Sequence, residues 1–199
     1  MEKVKKKILF LAIIVIVGII IGIIFSNVLS INDEKIVTLK ITNYFNNLKE
    51  DIPIDYVSNL FNSLKNNFIY LLIIWFLGLS IIGLLLNNFI LFFKSFILGF
   101  IIGSIIHIYL FNGIILSIIY IFPSLIINIL VFTMLVYYAN NISLKLFNLL
   151  FLKKDIKVGI FIKKYLKLLL ISAIVLIISS TLETFLTPFL LKLFSYFIK

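Results

Sequence analysis

The chain has 199 residues, of which 63% are hydrophobic, with 18 basic and eight acidic side chains and a net charge of +10. Apolar usage so far above the roughly 45–50% of soluble domains excludes a soluble globular protein of this size, and the absence of cysteine excludes structural disulfides, thiolate catalysis and Cys-ligated metals. Every basic residue is Lys and most flank hydrophobic stretches, so the charge reads as a topology signal and a contact for anionic membrane lipid, with no nucleic acid implied.

In chain order, Lys3, Lys5, Lys6 and Lys7 precede an uncharged apolar run, and the first span is expected at 8–26. Its length exceeds the roughly 7–15-residue core of a signal peptide, which favours an uncleaved anchor with its N-terminus in the cytoplasm. Segment 29–66 is the one sizeable polar stretch and holds five of the eight acids. Val37, Ile41, Tyr44 and Leu48, then Val57, Leu60, Phe61 and Leu64, recur at helical spacing on either side of Pro53. This predicts two short amphipathic helices on the extracytoplasmic side.

Between Asn66 and Leu144 the only formally charged side chain is Lys94, and at about 20 residues per crossing this stretch holds several spans. They are predicted at 68–86, closed by Asn87-Asn88, at 89–110, and at 125–142. Lys94 would lie near enough to the start of the third span to snorkel to the headgroups. The surplus between the third and fourth spans is bounded by Asn112-Gly113 and Pro123, which makes 114–122 a short interfacial or re-entrant helix. Lys145, Lys153, Lys154, Lys157, Lys163, Lys164 and Lys167 mark 145–167 as a cytoplasmic loop. A fifth span, 168–187, stops at Pro188 and leaves the tail at the outer interface. With Lys94 counted inside, twelve Lys lie inside and six outside. The expected fold is all-α, a polytopic transmembrane helical bundle of five spans in the bacterial cell membrane, N-terminus in and C-terminus out.

No catalytic constellation is visible. His107 is the only histidine, so neither a His pair for a metal nor a Ser-His-Asp set can form, and no Gly-rich phosphate loop occurs. The expectation is therefore no enzyme, no cofactor and no metal. Glu183, near the outer end of the fifth span, admits two readings: a proton or ion site, or a hydrogen-bond hub reaching His107 or an Asn. His107 itself reads as a neutral histidine bonded to a neighbouring helix. Gly18 and Gly22, and Gly99 and Gly103, each place two glycines on one helical face; homo-oligomerisation and intrachain packing through these stripes both stay open.

Residues 68–83, reading FIYLLIIWFLGLSIIG, resemble a span of the stage II sporulation protein M family. The similarity continues in order through 92–103, where Lys94 precedes Gly99 and Gly103, through Phe111-Asn-Gly113 and Phe122-Pro123, and through Leu182-Glu-Thr-Phe-Leu-Thr-Pro188. Distant members often carry Pro-His-Gly followed by Glu at the start of the fourth span; Ser124 and Asn128 stand there in this chain. The resemblance implies a mother-cell membrane protein of endospore engulfment, working at the septum with the peptidoglycan-remodelling stage II sporulation proteins D and P and cutting no cell wall itself. A partner would dock on the small-residue groove at Gly99 and Gly103 or on the face bearing Leu60 and Phe61. The alternative is a transporter or permease subunit, motivated by Glu183, the 114–122 segment and the Lys-rich loop, and opposed by the scarcity of polar residues to line a path.

Overall fold

In lipid, backbone N–H and C=O groups have no water to bond, so apolar runs of this length are stable only as helices that satisfy themselves. The computed structural model describes residues 2–50, 53–122, 124–151 and 158–195, and among these every regular element is helical. The elements are α1 (Glu2–Ser26), α2 (Ile31–Lys49), α3 (Tyr56–Gly78), α4 (Gly83–Ile121), α5 (Ser124–Phe151), α6 (Val158–Thr181), a π-helical turn (Leu182–Leu186) and α7 (Thr187–Ser195). Five helices are long and apolar enough to cross a membrane: Val4–Ser26, Tyr56–Gly78, Gly83–Ile121, Ser124–Phe151 and Phe161–Phe194. This is the all-α, five-span bundle that the sequence predicts.

The boundaries differ from the sequence-based ones, each for a local reason. The Val57, Leu60, Phe61, Leu64 set forms no separate helix; it is the first half of α3, which runs unbroken into the apolar string. Asp55 caps that start by accepting from the backbone N–H and the hydroxyl of Ser58 at 3.0 and 2.6 Å, bonds that hold its carboxyl below the usual carboxylate range. The turn between the second and third spans lies at 79–82, not at Asn87-Asn88. A Cβ on Gly83 would fall on the carbonyl of Leu77, so the chain reverses too tightly there for any other residue. Hydropathy hid the turn because Leu79, Ile81 and Ile82 are themselves apolar. Asn87 and Asn88 sit inside α4, and Asn140 of α5 donates to Asn88 at 2.7 Å.

Two further corrections concern the second half. The expected loop 145–167 is largely helical, since α5 continues to Phe151 and α6 begins at Val158; Lys153, Lys154 and Lys157 lie outside the described residues. The last span does not stop at Pro188 either. Thr187 N–H bonds to Leu182 O, five residues back, and this widened turn accommodates a proline at the second position of α7.

α4 is a helical hairpin. Leu110 has φ 52 and ψ −126, the one non-glycine residue with positive φ among the described residues. Beyond it, 111–121 runs back along the same helix: Ser117 Oγ donates to Ile102 O at 3.4 Å, and Gly113 lies against Ile105 and Ile106 so closely that a Cβ would overlap their backbone. Asn112-Gly113 is therefore a contact and not the turn, which falls at Leu110 at a strain of order 1–3 kcal/mol. Phe122 ends the hairpin in an extended conformation, as a residue before proline must. Pro123 itself lies outside the described residues.

Two cores hold the bundle. One, toward the N-terminal end, gathers Leu11, Leu71, Ile74, Leu91, Phe132 and Leu176, with Tyr165 stacked on Trp75 at 5.7 Å. The other, at the far end, joins Phe45 and Leu48 of α2 to Ile105 and Leu116 of the hairpin and Leu191 of α7. The two glycine stripes pack against each other: a Cβ on Gly99 would fall on the backbone of Ile19, on Gly103 on Ser26 Oγ, and on Gly22 on the backbone at Phe96. α1 and α4 thus run parallel in backbone contact, and the groove expected to receive a partner is filled by the chain's own first helix.

Candidate functional site

Lys94 lies eleven residues beyond Gly83 on α4, about 16 Å along the axis at 1.5 Å per residue. With a hydrocarbon core of about 30 Å, that is mid-span and beyond snorkelling reach, so the expected headgroup contact is corrected. Asn67 of α3 is likewise eleven residues from Gly78 and accepts from Lys94 Nζ at 3.3 Å. The rings of Phe132 and Tyr70 lie 3.9 and 4.3 Å from the ammonium, centroid to nitrogen. An ammonium at this depth is tolerated because an amide oxygen and two π-faces replace part of its hydration.

Glu183 sits one turn of α3 further out. Its Oε2 accepts from Ser63 Oγ at 2.7 Å. The π-helical turn that carries it also places Thr184 inward, where its hydroxyl donates to Ser180 O at 2.9 Å. Such single π-turns recur at functional sites because they rotate one side chain out of the regular helical register.

Lys94 and Glu183 line the same cavity of about 340 Å³, together with Ser63, Asn66, Asn67, Tyr70, Tyr120 and Asn128. No ion pair joins the two charges among the described residues. Asn128 is 3% exposed and its Oδ1 has no hydrogen-bond partner; Ser124 Oγ, one turn earlier, has none either. A second cavity of about 620 Å³ shares Ser63, Asn66, Ile101, Tyr120 and Glu183 as walls, and runs on beneath α2 past Lys40, Tyr44, Asn59 and Asn62 to Thr187 and Pro188. The two cavities therefore adjoin, and together they extend from the far end of the bundle to Lys94, with mostly apolar walls interrupted by these polar side chains. Asn59, Asn62, Ser63 and Asn66 share one face of α3, opposite Val57, Phe61 and Leu64; Ser63 is half-buried, and the three asparagines are exposed along the second cavity.

The residues singled out from sequence fall into separate places. Glu183 and Asn128 meet in the cavity. His107 does not reach Glu183; its Nε2 lies 3.2 Å from Glu34 Oε1 on α2, a half-exposed pair that ties α2 to the hairpin. Gly99 and Gly103 belong to the α1 seam. Phe61 is exposed and Leu60 half-buried on the outer side of α3. Lys94, Asn67 and the α3 asparagines are the members that sequence reasoning missed. The signal was present: four Asn and a Ser at spacings of three and four, directly ahead of the apolar string. No group of three or more His, Cys, Asp or Glu able to hold a metal occurs among the described residues.

A protein-family model described as stage II sporulation protein M matches residues 11–188, which include both cavity-lining charges and the α1 seam. No curated protein and no solved structure matches the chain.

Proposed function

The chain belongs to the stage II sporulation protein M family, a sporulation-related membrane protein, and from that premise we propose that it serves endospore engulfment as a non-enzymatic scaffold. Its task is to hold peptidoglycan-remodelling proteins, stage II sporulation proteins D and P, at the septal membrane of the mother cell. Following the distribution of Lys, the end bearing Lys7 and Lys145 faces the cytoplasm and the end formed by α2, the hairpin and α7 faces outward. The observation that carries this reading is the family match along nearly the entire bundle, from Leu11 to Pro188. The outward end supports it, because Val57 and Phe61 are 80% and 67% exposed there, next to the polar start of α3. An apolar face at that level meets a single-pass partner where its helix leaves the membrane.

The test is localisation and capture in sporulating cells. A fluorescent fusion should collect at the septum after asymmetric division, and in-cell crosslinking should recover the two remodelling proteins. Constant expression with uniform membrane staining, or recovery of neither partner, rejects the scaffold. A second reading, a component of a membrane transporter, is favoured by one observation only: the adjoining cavities that reach Lys94 and Glu183.

A further inference from the structure

We propose that the mid-membrane cavity is a binding site for a small zwitterion, which sets its anionic group on Lys94 and its ammonium on Glu183. The site is a built one. Two opposite charges line one half-open cavity without pairing with each other. Each is held by a neutral partner that fixes its position: Asn67 for Lys94 and Ser63 for Glu183. Those partners are one turn apart on α3, so the charges are offset in depth by about 5–6 Å. That offset suits an ammonium and a carboxylate or phosphate within one small molecule.

The uncharged groups agree with this assignment. Asn67 is already engaged on both sides, accepting from Lys94 and donating to Ser180 Oγ at 3.0 Å. Asn128 lines the cavity, and its Oδ1, buried behind that wall, has no hydrogen-bond partner of its own. Lys94 retains N–H groups beyond the one given to Asn67, and Glu183 keeps an oxygen beyond the one that accepts from Ser63. A single anion would meet repulsion from Glu183, and a single cation from Lys94; only a molecule bearing both charges gains from both walls. The adjoining larger cavity beneath α2 gives entry from the far end and room for whatever the zwitterion is attached to. Two sources share this chemistry: a free solute such as an amino acid, and the headgroup of phosphatidylethanolamine. The inference does not depend on the scaffold reading, which concerns a different surface.

The full-length protein is placed in nanodiscs of phosphatidylglycerol, with and without phosphatidylethanolamine. Alanine and glycerophosphoethanolamine serve as zwitterionic probes, with acetate, glycerophosphoglycerol and ethanolamine as single-charge controls. Binding is read by thermal shift and by native mass spectrometry. At least one zwitterion should raise the melting temperature, and the single-charge controls should not. Lys94→Met and Glu183→Gln should each weaken binding by about tenfold or more, the value of one lost charge-assisted hydrogen bond. If the source is lipid, phosphatidylethanolamine stays bound in the spectrometer and blocks the free probe; if it is a solute, the probe binds equally in both nanodiscs. The proposal is overturned if no zwitterion binds and no phosphatidylethanolamine is retained, or if single charges bind as well as zwitterions. Binding undiminished in folded Lys94→Met and Glu183→Gln also overturns it. Should either variant fail to insert, the comparison of probes on the unmodified protein decides alone.

Discussion

The two sides of α4 solve the same problem of packing at membrane depth in opposite ways. On the side toward α1, Gly99 and Gly103 meet Ile19, Ile23 and Ser26, Gly18 and Gly22 meet the α4 backbone between Phe92 and Phe100, and the seam is closed. On the side toward α3 and α5, Lys94, Asn67, Tyr70 and Asn128 line a half-open cavity between the helices. Lipid offers no hydrophobic drive for association, so a seam depends on close dispersion contact and small residues, while buried polar groups persist only where they find partners or line a cavity. The same helix therefore carries a structural face and a site, separated by its rotation and not by its position in the chain.

The largest effect expected from breaking this contrast is at the seam. Gly99→Leu drives a branched side chain into the backbone of Ile19, where no side chain can rotate away. Overpacking of that kind costs about 3 kcal/mol. The variant should lose most of its monodisperse yield in detergent and melt well below the parent protein. A parent-like melting curve would mean that α1 is not held as described.

Next in size is the pair that lines the opposite face. Glu183→Leu leaves the Ser63 hydroxyl without its acceptor, a loss of about 1–2 kcal/mol, whereas Glu183→Gln keeps an acceptor oxygen in place. Stability should order as parent, then Gln, then Leu. Equal loss with both would show that the carboxylate's charge, and not its hydrogen bonding, holds the π-turn. A smaller effect is expected from Tyr165→Phe. Tyr165 Oη is shared between the carbonyls of Trp75 and Ile74 at 3.2 and 3.4 Å, and its removal should cost about 1 kcal/mol. The stacking on Trp75 survives that change, so tryptophan fluorescence should stay near parental while the melting point falls.

Span number and fold class were legible in the sequence because bilayer thickness fixes how many apolar residues a crossing needs, and charge flanks it. The family was legible because short motifs came in order along the chain. Boundaries were not, since turns built from Leu79, Ile81 and Ile82 are as apolar as the helices they join. The site was half legible. Glu183 stood out as a lone carboxylate at span depth, yet its partner did not. Reading the turn at Asn87-Asn88 instead of 79–82 moved Lys94 from mid-membrane to the headgroups, and assigning 29–66 to the exterior removed Asn59, Asn62, Ser63 and Asn66 from any possible path. One misplaced turn thus concealed the second charge that lines the cavity. The packing of one glycine stripe onto the other depends on which helices become neighbours, a fact that no single stripe encodes.

The smallest effect on stability should come from the outermost part of α3, and there it separates folding from partner capture. Val57 and Phe61 are both largely exposed, whereas Leu60 is half-buried, so the informative substitution is Val57→Lys with Phe61→Lys rather than one that includes Leu60. Near the end of a span a lysine stem lies along apolar surface while its ammonium reaches the headgroups. Exposed substitutions of this kind change stability within about 0.5 kcal/mol. The double variant should therefore insert and melt like the parent protein. If the outer face of α3 holds the remodelling partners, crosslinking in intact sporulating cells should recover them at a fraction of the parental level, because two ammonium groups replace the apolar contact that a partner helix would cover. Zwitterion binding in the cavity should be unchanged, since both residues point away from Lys94 and Glu183. Parental recovery of the partners would move the docking surface to α2 or α7, and loss of zwitterion binding would show that the two faces of α3 are coupled.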